Sequence, residues 1–370
     1  MFLYANKIYK TPCWQAHKLF GFKNMKRILA QAALALGLAA ATSAAMSAAS
    51  TAAPLEIGYL PILPAAQLFV AAGQNALPAV DGAPPKLVQF QSGPAMVQAI
   101  LAGQLDAAYV GIGPALVVAA KGGDFKVVAS NVVEQVSLVA RGDLAPYFAP
   151  GSDASTAFAR FAKDKGRLPV IASYPRGSVP EAALQYWLRK RIKADPASYT
   201  LITQGEAQIQ QSLLTGAVDA AAILEPTITS VLDKEPKARV VAHGSDLFPH
   251  QPGAVLLVRG KLIREHPDLV KALVAEQISA TALLRDDPAK AAPLVQKYVA
   301  GGRLPVKLVE QAIRNSRDQF QADPNVIIPA TQALQQFLKD TDAQQGPLVD
   351  LSRLFDTRFY DAAAKASAQQ

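Results

Sequence analysis

One stretch of this 370-residue chain is written twice. QAILAGQLDAAYVG begins at Gln98, and QSLLTGAVDAAAIL begins at Gln211, 113 residues later. Each holds a glutamine, an aliphatic helix end, a glycine, and an aspartate followed by two alanines. The same offset carries the strand-like Glu56–Leu60 onto PVIAS (Pro169–Ser173) and KVVAS (Lys126–Ser130) onto RVVAH (Arg239–His243). It also sets TLITQ (Thr200–Gln204) opposite the strand KLVQF, which ends at Phe90, and Gln91. One register therefore runs through a whole βαβαβαβ unit, and the chain contains two copies of it. Strands alternating with helices at this spacing predict an α/β fold, with mostly parallel sheets flanked by helices on both faces.

Within the first copy, helices are expected over Ala65–Ala72, from the Ser92 cap to Leu101, and over Pro114–Ala120. Both copies close on an apolar strand-like run ending in Arg-Gly: VSLVARG (Val136–Gly142) and AVLLVRG (Ala254–Gly260). The remainder is helical, over His266–Arg285, Pro288–Tyr298, Val306–Phe320 and Thr331–Lys339, and has no second copy. Gly103 and Gly216 suit helix C-termini, where a left-handed backbone is needed. Asp106 and Asp219 open strands at the sheet edge opposite to where open α/β folds bind ligands. They are read as caps on neighbouring backbone rather than as catalytic carboxylates.

The N-terminus has a different character. Met25-Lys26-Arg27 precedes an uncharged stretch to Ala41 and then small residues to Ala53, the pattern of a cleaved secretory signal peptide. Residues 1–24 read as an upstream extension, with Met25 the natural start. Six basic residues lie before the expected cut and no acidic residue precedes Glu56, so removing those six from the formal charge of +8 leaves +2. No basic patch argues for nucleic acid. The single cysteine, Cys13, also precedes the cut. The exported protein then has no disulfide and no cysteine metal site or nucleophile. Neither His243 nor His250 stands in a metal-ligand spacing. No P-loop, dinucleotide fingerprint or nucleophile elbow is present, so no cofactor, no metal and no catalytic residue are expected.

Ligands of parallel sheets sit at the carboxyl ends of the strands, where helix N-termini point free N–H groups and positive dipole ends. Here those ends carry LPILPAAQ (Leu60–Gln67), QSGP (Gln91–Pro94) and GIGP (Gly111–Pro114) in the first copy. The second carries SYPRGSVPE (Ser173–Glu181), QGEAQ (Gln204–Gln208) and LEPT (Leu224–Thr227). Two such edges facing one another make a cleft for a small molecule. The candidate contacts are Leu63, Gln67, Ser92, Gly93, Gly113, Pro114, Gln135, Tyr174, Arg176, Gly177, Ser178 and Glu225. Ser92 and Ser178 also serve as plain N-caps, Tyr174 as a packing residue, Arg176 as a solvated cation and Glu225 as a rim ion pair. As the cation within these loops, Arg176 is the expected partner of an anionic ligand group.

The signal-like segment followed by IGYLP, FQSGPAMVQAILAGQLDAAYVGIGPAL, GSVPEAALQYWL and LLTGAVDAAAILEP resembles the periplasmic solute-binding proteins of ABC importers, in the nitrate/sulfonate/taurine class. The resemblance covers about residues 55–340. It implies a two-lobed type II periplasmic-binding fold, a venus flytrap whose crossover strands are the two Arg-Gly runs. Lobe one would comprise 55–138 and 252–370, with the C-terminal helices packed on it, and lobe two 139–251. A monomer in the periplasm would close on a small anionic solute and present it to a membrane permease and its ATPase. By position, Ser92-Gly93, Gly113-Pro114, Arg176-Gly177-Ser178 and Glu225-Pro226 match the family's ligand-facing loops. Ile62-Leu63-Pro64-Ala65 is apolar where relatives often carry polar residues, and lobe two ends ILEP rather than in a tryptophan-aspartate pair. Both differences favour an anion with an apolar or aromatic body, sulfonate-like or carboxylate-like, over nitrate or taurine. The competing readings are an enzyme on the same fold, acting on a pyrimidine or menaquinone precursor, and a sensor that presents its ligand to a membrane receptor.

Overall fold

The computed structural model describes residues 54–341 and 346–367. The expected export signal and Cys13 lie outside the described residues. The first copy runs β1 (Glu56–Tyr59), α1 (Ala66–Gly73), β2 (Lys86–Gln89), α2 (Gly93–Leu101), β3 (Ala107–Gly111), α3 (Ile112–Ala120) and β4 (Phe125–Ser130). The chain then forms β5 (Ser137–Ala140), α4 (Ala157–Lys165), β6 (Val170–Ser173), α5 (Val179–Tyr186), β7 (Thr200–Thr203), α6 (Glu206–Thr215), β8 (Ala220–Ile223), α7 (Thr227–Lys234), β9 (Arg239–Ala242) and α8 (Gly244–Leu247). It ends with β10 (Ala254–Arg259), α9 (Gly260–Glu265), α10 (Pro267–Asp286), α11 (Pro288–Gln296), α12 (Val306–Asn315), α13 (Ile328–Asp340), α14 (Leu351–Leu354) and α15 (Arg358–Ser367).

The strands form two sheets of one topology, β2-β1-β3-β10-β4 and β7-β6-β8-β5-β9. In both, the first three strands are parallel, and the fourth in order is antiparallel to its neighbours. The antiparallel strand is the Arg-Gly run: β5 follows the first copy but pairs in the second sheet, and β10 follows the second copy but pairs in the first. The chain thus crosses between lobes after Ser130 and returns after Ala242. The expected boundary between 138 and 139 falls inside β5, which pairs along its length in the second sheet.

Neighbouring residues of each central strand serve different cores, because side chains alternate across a strand. Ala108 and Val110 of β3, with Val255 and Leu257 of β10, join one cluster; Ala107, Tyr109, Leu256 and Val258 join another on the opposite face. In the second sheet Leu138 and Ala140 face one way and Val139 the other. The first cluster is continuous from lobe one into lobe two, through Met96, Leu116, Val179, Ala183 and Phe337. In the tail, α10 and α11 pack on α1 of lobe one, while α12 also touches α7 and α13 touches both α3 and α5. Tyr186 of α5 meets Phe337 of α13 edge-on, with ring centroids 5.1 Å apart. The tail therefore rests on lobe one and also braces lobe two.

The doubled glycine and aspartate have matching structural roles. Gly103 and Gly216 take φ of +73° and +80° where α2 and α6 end. Asp106 Oδ2 accepts from the Glu56 N–H at 3.0 Å, and Asp219 Oδ2 from the Val170 N–H at 2.8 Å. Each carboxylate thus ties the start of the third strand of its copy to the start of the first.

Candidate functional site

Between the lobes lies a cleft of about 500 Å³. Five helices, α2, α3, α5, α6 and α7, present their first turns to it, through Ser92-Gly93, Gly111 and Pro114, Ser178–Pro180, Gly205–Gln208 and Pro226-Thr227. The repeat explains the convergence. Positions 113 apart face the cleft from opposite lobes: Pro61 and Tyr174, Ala65 and Ser178, Ser92 and Gly205, Gly93 and Glu206, Pro114 and Thr227. First-turn N–H groups lack helical acceptors and carry the positive end of the helix dipole, so five of them favour negative charge between the lobes. Ser92 and Ser178 cap their own helices, accepting from the N–H of Ala95 at 3.3 Å and of Glu181 at 3.4 Å. Leu60, Ile62, Tyr109, Val179, Leu224 and Leu304 give the cleft apolar walls.

Of the candidates, Ser92, Gly93, Pro114, Gln135, Tyr174 and Ser178 are brought together along the cleft. The Tyr174 hydroxyl and Gln135 Oε1 are buried without a hydrogen-bond partner among the described residues. Burial pushes the Tyr174 phenol well above its usual range. Gly113 and Gly177 are a contact between lobes: a Cβ placed on Gly113 would lie 3.1 Å from Gly177 O. Gly177 itself has φ +81°, which favours glycine.

Four candidates are placed elsewhere. Leu63 is buried in the lobe-one core, turned inward by the short helical turn Leu63–Ala65, while its neighbours Ile62, Pro64 and Ala65 line the cleft. Gln67 is fully buried, donating to Asn131 O at 2.7 Å and Thr281 Oγ1 at 3.3 Å, so it ties α1 to α10 and to the segment after β4. Glu225 folds back on the first turn of α7: its oxygens accept from the Thr229 N–H at 2.9 Å and the Thr229 hydroxyl at 2.8 Å. Burial raises its carboxyl above the ordinary range against the pull of these bonds. Arg176 lies on the other side of the Tyr174–Ser178 turn, exposed, and lines a different cavity.

Two charged residues line the cleft that the motifs did not single out, Glu206 and Arg303. Glu206 is the first residue of α6, half-buried, with Oε1 accepting from the Thr227 hydroxyl at 2.7 Å. Burial outweighs that bond and pushes its carboxyl up to about 7. Glutamate is common in a first helical turn, so nothing in its sequence context marks it as facing a ligand. Arg303 comes from the unrepeated tail. Ala300, Gly301 and Gly302 have φ of 48°, 65° and 72°, a left-handed run that reverses the chain just before it. The Ala300 N–H donates to Pro61 O at 3.4 Å, holding this turn against the β1–α1 loop, and Gln296 Nε2 donates to Leu304 O at 3.0 Å, tying the end of the turn to α11.

Two lobes of identical sheet order, two exchanged strands and a cleft at the strand carboxyl ends define the type II periplasmic-binding fold. A model of the NMT1-like family matches residues 48–299, and the chain belongs to that family. It is 26% identical over 283 residues to a Bacillus subtilis (strain 168) protein whose name proposes aliphatic-sulfonate binding, covering 76% of this chain and 79% of that one. Among solved structures it is similar to the alkanesulfonate-binding protein SsuA of Xanthomonas axonopodis pv. citri bound to MOPS, with TM-score 0.64, 20% identity, and 83% of this chain and 99% of that one covered. It is likewise similar to the periplasmic nitrate-binding protein NrtA of Synechocystis PCC 6803, with TM-score 0.68, 14% identity, and 85% and 88% covered.

Proposed function

We propose that this protein is the periplasmic solute-binding component of an ABC-type importer. As a monomer it captures a small organic anion with an apolar body between its lobes and hands it to a membrane permease and its ATPase. The observation that carries the reading is the convergence of five helix N-termini from both lobes on one cleft with apolar walls. Arg303 supplies the full positive charge there, in the role that sequence reasoning gave to Arg176. The helix termini of both lobes share the anionic group, the apolar walls take the body, and hinge closure sequesters both. MOPS, on the Xanthomonas relative, is an organic sulfonate, its anionic group joined by a propyl chain to a morpholine ring.

A thermal-shift screen of sulfonates, carboxylates, nitrate and pyrimidines identifies the ligand, and calorimetric titration then measures it. Loss of a hydrogen-bonded charge makes Arg303→Ala weaken the best hit by about tenfold or more, whereas Arg176→Ala leaves cleft affinity unchanged. No organic anion among the hits, or wild-type affinity in Arg303→Ala, would overturn the assignment.

A further inference from the structure

Arg176 belongs to a second cavity, of about 290 Å³, on lobe two between α5, the edge strand β7 and α13. Leu201, Phe337 and Leu338 make one wall of it apolar, and Arg176 and Arg189 bring two guanidinium groups. Arg176 makes no hydrogen bond among the described residues, and Arg189 spends only Nε, on Gln185 Oε1 at 3.0 Å. Among the described residues, the terminal nitrogens of both forks are therefore without a hydrogen-bond partner. Among the described residues that line the cavity the acid is Glu181, which balances one of the two charges at most. Burial holds its carboxyl above the usual range even with both arginines near. Ser173, only 5% exposed, also lines this cavity, and its hydroxyl has no partner among the described residues. A buried hydroxyl left unpaired is costly, and a ligand oxygen reaching it would remove that cost.

From two guanidinium forks, an orphaned buried hydroxyl and an apolar wall in one cavity, we infer that lobe two holds a second binding site, for a small carboxylate or sulfonate with a hydrocarbon tail. The forks take two oxygens of the anionic head in the planar geometry that guanidinium favours. The Ser173 hydroxyl donates to the head, and the tail lies along Leu201, Phe337 and Leu338. The volume sits at the lower limit of small-molecule pockets, roughly 300 Å³, so this ligand is smaller than one filling the cleft. The two sites share α5, whose first turn lines the cleft and whose next turn lines this cavity.

The probe is 4-bromobenzenesulfonate, used in crystals and in solution. Bromine anomalous scattering from soaked crystals is expected beside Arg176 and Arg189, and calorimetry is expected to resolve a site distinct from the cleft. Replacing both arginines, Arg176→Ala with Arg189→Ala, weakens that site by about tenfold or more without lowering the melting temperature, while Arg303→Ala spares it. Ser173→Ala, which leaves both charges, gives a smaller loss. Bromine confined to the interlobe cleft, binding seen only at soaking concentration, or wild-type affinity in the double arginine variant would each overturn the inference. None of these results bears on capture in the cleft, which the Arg303→Ala titration reads separately.

Discussion

Replacing Glu206 by glutamine removes a titration that burial has moved far from where a solvated carboxyl titrates. Its pKa rises from the ordinary 4.5 to about 7 because burial disfavours the charged form more than the Thr227 hydroxyl favours it. Below about pH 4.5 the carboxyl is protonated in folded and unfolded chains alike, and it takes nothing from stability. Between 4.5 and 7 the unfolded chain releases the proton while the folded protein keeps it, so stability falls by about 1.4 kcal/mol per pH unit. Above 7 both states are ionised, and the loss stays level at about 3 kcal/mol. Glutamine has nearly the same shape, stays neutral, and keeps a carbonyl oxygen for the Thr227 hydroxyl. Glu206→Gln should therefore match the wild type near pH 4 and exceed it by up to about 3 kcal/mol at pH 8. The measurement is urea denaturation of both proteins, without ligand, at half-unit steps from pH 4 to 8.5. Taking the difference between them cancels the titration of groups that the substitution does not touch. A difference that stays constant with pH, or that favours the wild type above pH 7, would refute the reasoning.

The duplicated aspartates should not be equivalent in energy. Asp219 holds the Val170 N–H at 2.8 Å and both arms of Arg167 at 2.7 Å, while Asp106 holds the Glu56 N–H at 3.0 Å and lies 3.7 Å from Arg259 Nε. Asp219→Ala should cost about 2–3 kcal/mol and Asp106→Ala about 1 kcal/mol in equilibrium denaturation, and equal losses would contradict the ranking. Gly111→Ala tests closure: its φ of −63° admits alanine, but the new Cβ would stand 2.8 Å from Val179 Cγ2 across the cleft. Small-angle scattering should show less compaction on adding the ligand, calorimetry should show weaker binding, and Val179→Ala in the same chain should restore both. Full compaction in Gly111→Ala alone would show that the lobes do not close on this contact.

Much of the fold was legible because a repeat transmits register as well as type. Ile57 pairs with Leu87 in lobe one, and the same offset of 113 sets Val170 against Thr200 in lobe two. The helix starts were legible for a local reason: Ser92 and Ser178, each followed closely by proline, are caps whatever the tertiary structure does. Side-chain direction was not legible to the same degree. In the turn after β6, Tyr174 and Ser178 face the cleft while Arg176 faces the second cavity, and that choice depends on the turn through Gly177 and on what α13 covers. Glu225 lies two residues beyond the end of β8, where the first turn of α7 offers its carboxylate a backbone N–H and a hydroxyl.

The charges that distinguish this cleft lie where the two copies differ. The helix N-termini are common property of both, so they recommend an anion without saying which. Glu206 opens α6 at the position where α2 opens with Gly93, and Arg303 comes from a tail that has no counterpart in either copy. A symmetric pair of jaws can offer a ligand only dipoles of one sign from both sides. Placing a carboxyl of pKa about 7 on one jaw and a guanidinium beside the cleft polarises the site, so a bound molecule has a preferred orientation. The same asymmetry explains why repeat analysis locates the cleft but passes over its charged residues. An offset search finds what two copies share, whereas discrimination among ligands needs what they do not share.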